Sequence, residues 1–367
     1  MEIKVERKEF LASLMIGASL AGRSKVLPVL DNVKIRVRDN NLMFISMDGD
    51  SAIQKRTSVI SKSEDGEFAV NASDLIKAFK ALKDDEVILI YTKDENSLEI
   101  KHNKGKISLS AITTEDFPTI GKGENGTTFS MNSELFFSWL STAKTFVATD
   151  NVRPIMCGMY VDVRNGIASC CASDGMKMFT DSAEVEGATM DTQTVVPSSV
   201  LGVVQNVVNG TLSCAITIDS LHTTISVDGA KLSIRNLDGR YPNFRGVIPT
   251  SQEIEVVVDK NEFVGGVSRV SICSSSTSLV KMNVSGCNVS MEANNLEFGK
   301  SAKEDILCEH NGKDITIGFK HDSMLNLLAN IDSDKATLLM STPERAIVIK
   351  DETFPNKVLL VMPCLLS

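Results

Sequence analysis

The sequence contains IKVERKEFLASLM at residues 3–15, FSMNSELFFSWLSTA at 129–143 and VVVDKNEFVGGVSRV at 256–270. Each stretch opens with the alternating apolar pattern of a strand, passes through a polar residue, and continues with apolar residues at helical spacing. Glu9, Glu134 and Glu262 occupy matching places, 125 and 128 residues apart. Similarity at a fixed period is the signature of repeated domains, so these stretches predict three copies of one strand–helix unit.

A second strand–helix element recurs within each copy. Leu75, Leu201 and Leu325 mark its matching positions, 126 and 124 residues apart. The pattern predicts a strand, a Ser or Asp helix cap, and then a helix with apolar residues at i, i+3 and i+4. The three copies are FAVNASDLIKAFKAL (68–82), TVVPSSVLGVVQNVV (194–208) and IGFKHDSMLNLLANI (317–331).

Two further features keep the same order: a strand that ends in a small polar turn, and an aromatic–proline step that closes each copy. The strands are MFISMDGD (43–50), ASCCASDG (168–175) and VSMEANNL (289–296), and the closing steps are Phe117-Pro118, Tyr241-Pro242 and Phe354-Pro355. We therefore predict an α+β fold of three repeated domains, each with two helices packed on antiparallel sheets. Their expected ranges are 1–122, 127–250 and 252–367.

Composition limits the class of protein. Hydrophobic residues make up 43% and charged residues 23% of the 367, which is ordinary for a globular chain. The first residues, MEIKVERKEF, do not resemble a secretory signal, and no apolar run approaches the roughly 20 residues of a membrane span, so we expect a cytoplasmic protein without membrane contact. The net charge of −9 argues against nucleic acid unless the positive residues gather on one face.

The motifs of common catalytic and cofactor sites are missing from the sequence. It has no phosphate-binding GxxxxGK[ST], no GxGxxG, no GxSxG and no HExxH. It has no CxxC, and no Cys/His group has the spacing of metal ligands. Asp48-Gly49-Asp50 is interpreted as a turn, because the further oxygen ligands of a calcium loop do not follow it. We expect no cofactor, no metal and no enzymatic activity.

Positive charge occurs on one predicted helix. Lys77, Lys80 and Lys83 follow a spacing of i, i+3 and i+6 that places them on one face, opposite the apolar stripe formed by Leu75, Phe79 and Leu82. A solvated helix face explains each lysine singly. Gathered on one surface, they would contact phosphates without reading bases.

Longer stretches resemble the family of bacterial sliding clamps, the beta subunits of DNA polymerase III. The segment LDGRYPNFRGVIP (237–249) resembles the one that closes the middle domain of that family. Similar matches, spread over the whole chain, are AGRSKVLPVLDNVKI (21–35), EDFPTI (115–120), NVRPIMCGM (151–159), SDGMKM (173–178) and LLVMPCLL (359–366).

This resemblance implies three DNA-clamp domains per chain and a head-to-tail homodimer that closes a six-domain ring around duplex DNA. The ring would tether the replicative polymerase as a processivity factor, because tethering raises effective concentration. The implied partners are double-stranded DNA, bound without sequence specificity, together with the polymerase, the clamp loader and other proteins that carry short clamp-binding peptides. The implied location is the cytoplasm, at the nucleoid.

The resemblance also implies roles for individual residues. DNA contacts are expected at Arg23 and Arg153, beside the lysines Lys77 and Lys80. The expected peptide cleft is formed by Ser173, Gly175, Met178, Pro242, Val247, Leu360, Met362 and Pro363. The expected dimer contact pairs edge strands and has an apolar core of Ile107, Leu109, Ile272 and Cys273.

Two other classes of protein fit the repeats alone. An enzyme with a cleft between repeated domains would need a polar catalytic constellation or show turnover. A repeat scaffold that binds only proteins would lack basic helix faces, and TVVPSSVLGVVQNVV carries no Lys or Arg.

Overall fold

The computed structural model describes residues 1–24, 26–115, 117–118, 126–150 and 152–366. The chain forms two compact units. Unit 1 comprises Met1–Phe137 and Val185–Asn236, and unit 2 comprises Ser138–Glu184 and Leu237–Ser367. Lys122 and Ser367, where the first and third predicted domains end, lie outside the described residues.

All six predicted helices are confirmed, and each directly follows a strand, except that a short 3-10 turn intervenes before the fourth. Their bounds are α1 (Arg7–Gly17), α2 (Ala72–Ala81), α3 (Ser133–Phe146), α4 (Leu201–Val208), α5 (Lys260–Ser271) and α6 (His321–Leu328).

Strands make up most of the remaining structure. They are β1 (Glu2–Glu6), β2 (Asn32–Arg38), β3 (Asn41–Met47), β4 (Ser51–Ser58), β5 (Ser61–Lys62), β6 (Gly66–Asn71), β7 (Glu86–Thr92), β8 (Ser97–His102), β9 (Gly105–Ile112), β10 (Thr127–Asn132), β11 (Gly158–Arg164), β12 (Ile167–Ser173), β13 (Lys177–Glu184), β14 (Thr192–Pro197), β15 (Ser213–Ile218), β16 (His222–Val227), β17 (Ala230–Arg235), β18 (Ile254–Asp259), β19 (Leu279–Ser285), β20 (Asn288–Asn295), β21 (Lys300–Leu307), β22 (Glu309–Asn311), β23 (Ile315–Lys320), β24 (Lys335–Met340), β25 (Ile347–Lys350) and β26 (Val358–Val361).

Unit 1 contains a sheet in which the order is β10-β15-β16-β17-β4-β3-β2-β6-β9-β8-β7-β1-β5. The described strand pairs are antiparallel, as predicted. Strand β9 pairs with β8 along Gly105–Ser110 but with β6 only at Ala111 and Ile112. One edge of β9 is therefore left without a described backbone partner over residues 106–110.

Unit 2 contains strands in the order β11-β12-β13-β26-β25-β24-β18-β22 and a separate four-stranded sheet β21-β20-β19-β23. In this four-stranded sheet β21 is an edge strand, because its described pairing is with β20 alone. The predicted two-residue hairpin at Asn165-Gly166 joins β11 to β12, and both residues have positive φ, 51° and 75°. That conformation is typical of the Asn-Gly turn that suits a twisted hairpin.

The helices are held to their sheets by aromatic packing. In α1, Phe10 stacks on Phe79 of α2 with ring centroids 4.2 Å apart, and meets the edge of Phe44 on β3 at 4.9 Å. All three side chains are buried, and the Leu75, Phe79 and Leu82 stripe faces the same core as predicted. Burying aromatic rings in this way is a main source of the packing energy that fixes two helices on a sheet.

The predicted Ser or Asp caps of α2, α4 and α6 are wrong. For α2 the cap is Asn71, whose Oδ1 accepts a hydrogen bond from the Asp74 N–H at 3.1 Å. The 3-10 turn Ser198–Val200 precedes α4, and Lys320 precedes α6; in the described structure neither helix has a side-chain cap. The serines and aspartate that suggested caps lie one or two residues inside these turns.

Candidate functional site

An apolar groove of about 570 Å3 lies in unit 2, where β13 and β26 run side by side. Met178 and Leu360 are direct partners in this antiparallel pair, and both side chains are buried. Two residues along, the Met362 N–H donates a hydrogen bond to the Met176 carbonyl at 2.8 Å. The complete lining is Arg153, Met156, Ser173, Gly175, Met176, Lys177, Met178, Tyr241, Pro242, Phe244, Val247, Leu360 and Met362.

A tight turn before β13 shapes one rim of the groove. Asp174 Oδ1 accepts hydrogen bonds from the N–H groups of Met176 and Lys177, at 2.8 and 2.9 Å. Gly175 has a φ of +91°, and a Cβ there would lie 2.6 Å from Nη2 of Arg153. The positive φ favours glycine at residue 175, because a residue with a side chain would be strained in this conformation.

The opposite wall of the groove is aromatic. Tyr241 stacks on Tyr160 with centroids 4.9 Å apart, and Phe244 meets Tyr160 edge-on at 5.8 Å. Burial raises the pKa of the Tyr241 phenol, so that this wall is uncharged at neutral pH. Rigid aromatic walls around methionine side chains suit an apolar ligand, because methionine adapts its shape to what it contacts.

The cations of the groove come from two residues. Burial lowers the pKa of Lys177, and the Asp174 carboxylate, 3.8 Å away, opposes this shift. The Nζ atom of Lys177 donates a hydrogen bond to the Thr145 carbonyl and lies 5.3 Å from the centroid of the Phe146 ring. Arg153 is exposed and donates from Nη2 to the Asp174 carbonyl at 3.3 Å. The floor of the groove is therefore apolar, and the exposed Arg153 places a positive charge at its rim, whereas Lys177 is buried.

The structure brings together seven of the eight predicted cleft residues. Pro363 is half-buried and does not line the groove. Sequence reasoning missed Met156, Met176, Lys177, Tyr241 and Phe244, although each falls within a quoted family-like stretch. For Met176, Tyr241 and Phe244, the available signal was an apolar or aromatic side chain within two residues of Gly175 or Pro242.

A second depression of about 650 Å3 continues from this groove and shares Val247 and Met362 with it. Glu344 and Arg345 line its far side. An extended ligand that runs past Met362 would therefore meet the charged side chains of Glu344 and Arg345.

The residues predicted to contact DNA are exposed, and they are distributed over the two units. In unit 1, Lys77 and Lys80 project from α2, and Arg23 donates from Nη1 to the Ser199 carbonyl at 2.8 Å. In unit 2, Arg153 lines the apolar groove. The placement of Lys83 on the same helix face is wrong, because α2 ends at Ala81 and the extended Leu82 separates the lysine from the helix.

The predicted dimer residues lie on two different elements. In unit 1, Ile107 and Leu109 are half-buried on β9, beside the part of its edge that lacks a described partner. In unit 2, Ile272 follows α5 and is 74% exposed, with the half-buried Cys273 next to it. Helix α5 packs against the edge strand β21, where Arg269 Nε donates to Glu304 at 3.0 Å.

Two other kinds of site are absent from the described part of the chain. No group of three or more His, Cys, Asp or Glu residues there has an arrangement that could hold a metal ion. Among the described helices, none has both the length and the apolar character that crossing a membrane requires.

Three strand–helix repeats and a preformed apolar groove define the class: a repeated α+β protein with a binding groove. Comparison with known families gives the particular one. Residues 1–121, 130–243 and 245–365 match the N-terminal, central and C-terminal domains of the DNA polymerase III beta subunit. The chain belongs to the DNA polymerase III beta subunit family, which confirms the resemblance and the three-domain α+β fold.

Individual relatives agree along their whole length. The beta sliding clamp of Pseudomonas aeruginosa is 24% identical over 99% of both chains, and that of Vibrio cholerae is 22% identical over the same share. The crystal structure of the P. aeruginosa subunit superposes with a TM-score of 0.94 at 23% identity, covering 100% of each chain. A P. aeruginosa clamp bound to griselimycin gives 0.93 at 23% identity and a Thermotoga maritima subunit 0.92 at 19%, again over 100% of each chain.

The family fixes the general function. Its members are DNA sliding clamps that act in replication as processivity factors without a catalytic activity of their own, and the chain has this function. The family binds DNA, forms dimers and interacts with the polymerase and other peptide partners.

Proposed function

We propose that the unit 2 groove is where this clamp docks short peptides of the replicative polymerase, the clamp loader and repair proteins. The observation that carries the proposal is the buried Met178–Leu360 floor between an adaptable Met362 and an aromatic wall. Such a groove accepts apolar side chains of different shapes, which suits one site that serves several partners. The exposed Arg153 at the rim favours peptides that also carry a carboxylate.

We assign closure of the ring to two edge strands, β9 in unit 1 and β21 in unit 2. In the proposed homodimer, β9 of one chain pairs head to tail with β21 of the other, with Ile107, Leu109, Ile272 and Cys273 as the apolar core. Support comes from the unpaired stretch of β9, the edge position of β21 and the exposure of Ile272. An exposed edge strand is an aggregation hazard unless it finds such a partner. Three domains per chain, at residues 1–122, 127–250 and 252–367, would then give six domains in the ring.

DNA contact is assigned to Arg23, Lys77, Lys80 and Arg153. Their side chains are exposed, and the net charge of −9 leaves the rest of the surface acidic. Contacts of this kind position phosphates without reading sequence, which is compatible with sliding. The proposed location is the cytoplasm, at the nucleoid.

One experiment tests the ring as a whole. Light scattering over a dilution series should give a mass near twice 39.8 kDa. The loaded protein should then stay on nicked circular DNA and leave after the DNA is linearised. A protein that is lost equally from both DNA forms would instead be a scaffold that does not encircle DNA.

A further inference from the structure

The turn that shapes the groove rim occurs a second time, in unit 1. Asp48 Oδ1 accepts hydrogen bonds from the N–H groups of Asp50 and Ser51 at 3.1 and 2.8 Å, as Asp174 does for Met176 and Lys177. Gly49 has a φ of +110°, against +91° at Gly175. The rim of the unit 2 groove therefore has a copy with the same hydrogen bonds.

The strands beyond this turn also repeat the unit 2 arrangement. Strand β4 pairs with β17 so that Ala52 faces Ser233, just as Met178 faces Leu360. The Arg235 N–H donates to the Asp50 carbonyl at 3.1 Å, which corresponds to the bond from Met362 to Met176 at 2.8 Å. The two pairs of strands are thus equivalent residue by residue.

This frame encloses a groove of about 620 Å3 in unit 1. Leu30 and Met47 form its buried apolar end, and Leu27, which is 46% exposed, lies at the entrance. Pro118 occupies the place that Pro242 has in unit 2, after the matching aromatic residue. The described lining is Leu27, Leu30, Met47, Gly49, Asp50, Ser51, Ala52, Pro118, His222 and Ser233.

At equivalent positions, the unit 1 groove has smaller and more polar side chains than the unit 2 groove. Ala52 and Ser233 stand where unit 2 has Met178 and Leu360, so the floor between the strands is smaller and more polar. Asp50 stands where unit 2 has Met176 and is a charged lining residue. The charged lining of the unit 2 groove, Arg153 and Lys177, has the opposite sign.

The Asp50 carboxylate remains available to a ligand. Asp50 forms an ion pair with Arg235, in which Nη1 lies 4.0 Å from Oδ1. Both side chains are largely exposed, Asp50 at 79% and Arg235 at 58%. An exposed pair at that distance contributes about 0–1 kcal/mol, so a ligand cation can compete with it.

We propose that the unit 1 groove is a second docking site, for an extended peptide that carries an aliphatic side chain next to a lysine or arginine. The aliphatic group passes Leu27 and fills the apolar end formed by Leu30 and Met47, and the cation meets Asp50. The inference uses from the proposed function only that the equivalent unit 2 groove takes peptides. One chain would then sort partners by charge, with acidic peptides in unit 2 and basic peptides in unit 1.

Methionine methyl NMR separates the two grooves in the intact protein, because Met47 lines one and Met178 and Met362 line the other. The probes are two capped hexapeptides that share a Leu-Leu step and carry either two lysines or two aspartates. The lysine peptide should shift the Met47 signal saturably, and this shift should persist in Met362→Lys. Asp50→Lys should weaken the binding at least about fivefold, since repulsion replaces attraction, whereas Asp94→Lys, the same change at an exposed loop residue, should not.

A Met47 signal that stays in place at millimolar lysine peptide would overturn the proposal. Equal weakening by Asp50→Lys and Asp94→Lys would also overturn it. The aspartate peptide reports separately on the unit 2 groove: if Met178 and Met362 fail to respond to it, the docking role proposed for unit 2 fails, whatever happens at Met47.

Discussion

Arg245 donates from Nη2 to both carboxylate oxygens of Asp162, at 3.0 and 3.1 Å. The Asp162 carboxylate is almost completely buried and also forms an ion pair with Arg164, whose Nε lies 2.9 Å from Oδ2. Arg245 belongs to the short turn Phe244–Val247, whose side chains form a wall of the unit 2 groove, and its guanidinium lies 4.6 Å from the Phe244 ring centroid. A buried anion in β11 therefore fastens the groove wall from behind.

Asp162→Asn should weaken peptide binding in unit 2 without touching the ligand. The amide keeps the shape but turns an N–H group towards two arginines, which costs about 1–3 kcal/mol of stability. We expect peptide affinity to fall severalfold as the wall loosens, measured by calorimetric titration alongside urea unfolding. Asp334→Asn, at an exposed position of the same unit, is the matched control. Unchanged peptide affinity in Asp162→Asn would show that the wall does not depend on this anchor.

Met362→Lys should abolish peptide binding and leave the dimer intact. The side chain is half-buried at the groove rim, so a lysine can reach solvent while its charge opposes an apolar ligand. Leu360 is a poorer test, because it is only 1% exposed and a charge there would disturb the fold itself. Met190→Lys, at a methionine that is 65% exposed in unit 1, controls for the added charge. Peptide affinity and mass in solution are measured together, and retained affinity would remove Met362 from the site.

Ile272→Asp should convert the dimer to monomers. The side chain is 74% exposed in the single chain, so the substitution costs the monomer little, but the proposed contact would have to bury an unpaired carboxylate. Light scattering at several concentrations measures the mass. Leu212→Asp, at a leucine that is 92% exposed, should remain dimeric. A dimer mass for Ile272→Asp would contradict the interface assignment.

Lys77→Ala combined with Lys80→Ala should reduce the salt dependence of DNA binding. Each phosphate contact that is lost lowers the magnitude of the log–log slope by about 0.9 on duplex DNA, so two contacts would lower it by roughly 2. Equilibrium binding at several salt concentrations provides the slope. Lys93→Ala changes the charge of an exposed loop and should leave the slope as it is. The same slope in the double variant would place these lysines away from the DNA.

Glu67 should make unit 1 sensitive to acid. Burial alone would raise the pKa of its carboxyl, but hydrogen bonds from Lys34, Thr114 and Arg36 outweigh this and lower the pKa to about 2. A depressed pKa stabilises the fold above the ordinary value of 4.5, and that contribution is lost as the pH falls from 4.5 towards 2.

Because the Glu67 side chain is 34% exposed, we expect the contribution to unfolding free energy not to exceed about 2 kcal/mol. Urea unfolding between pH 2 and pH 6 should show this loss in the natural protein, and a smaller one in Glu67→Gln. Parallel pH profiles for the two proteins would count against this assignment.

Local patterns in the sequence were sufficient for the repeats. Apolar periodicity located six helices, and Asn165-Gly166 specified its hairpin, because these features depend on neighbours in the chain. The Ser and Asp caps failed for the opposite reason. A serine or aspartate near a helix start can lie inside the first turn, and the position of that start depends on where the preceding strand ends.

The groove needed contacts that are distant in sequence. Met178 and Leu360 meet through strand pairing although they are 182 residues apart in sequence, and each alone is an ordinary core residue. Gly318 illustrates the same limit: a Cβ there would lie 2.7 Å from the Cys364 carbonyl oxygen, so the chain near its end packs directly on β23. No periodicity predicts such an approach. Family-like stretches supplied the rest, and they assigned Arg153 to DNA although its side chain also lines the groove.

The β4–β17 and β13–β26 pairings have a mechanical consequence. In unit 1 the register joins Ser51–Lys55 to Ala230–Ile234, and in unit 2 it joins Lys177–Thr180 to Val358–Val361. Several backbone hydrogen bonds would have to break at once to separate either pair of strands, so both pairings resist deformation. A gate for DNA would then lie at the proposed contact between two chains rather than at either of these strand pairings.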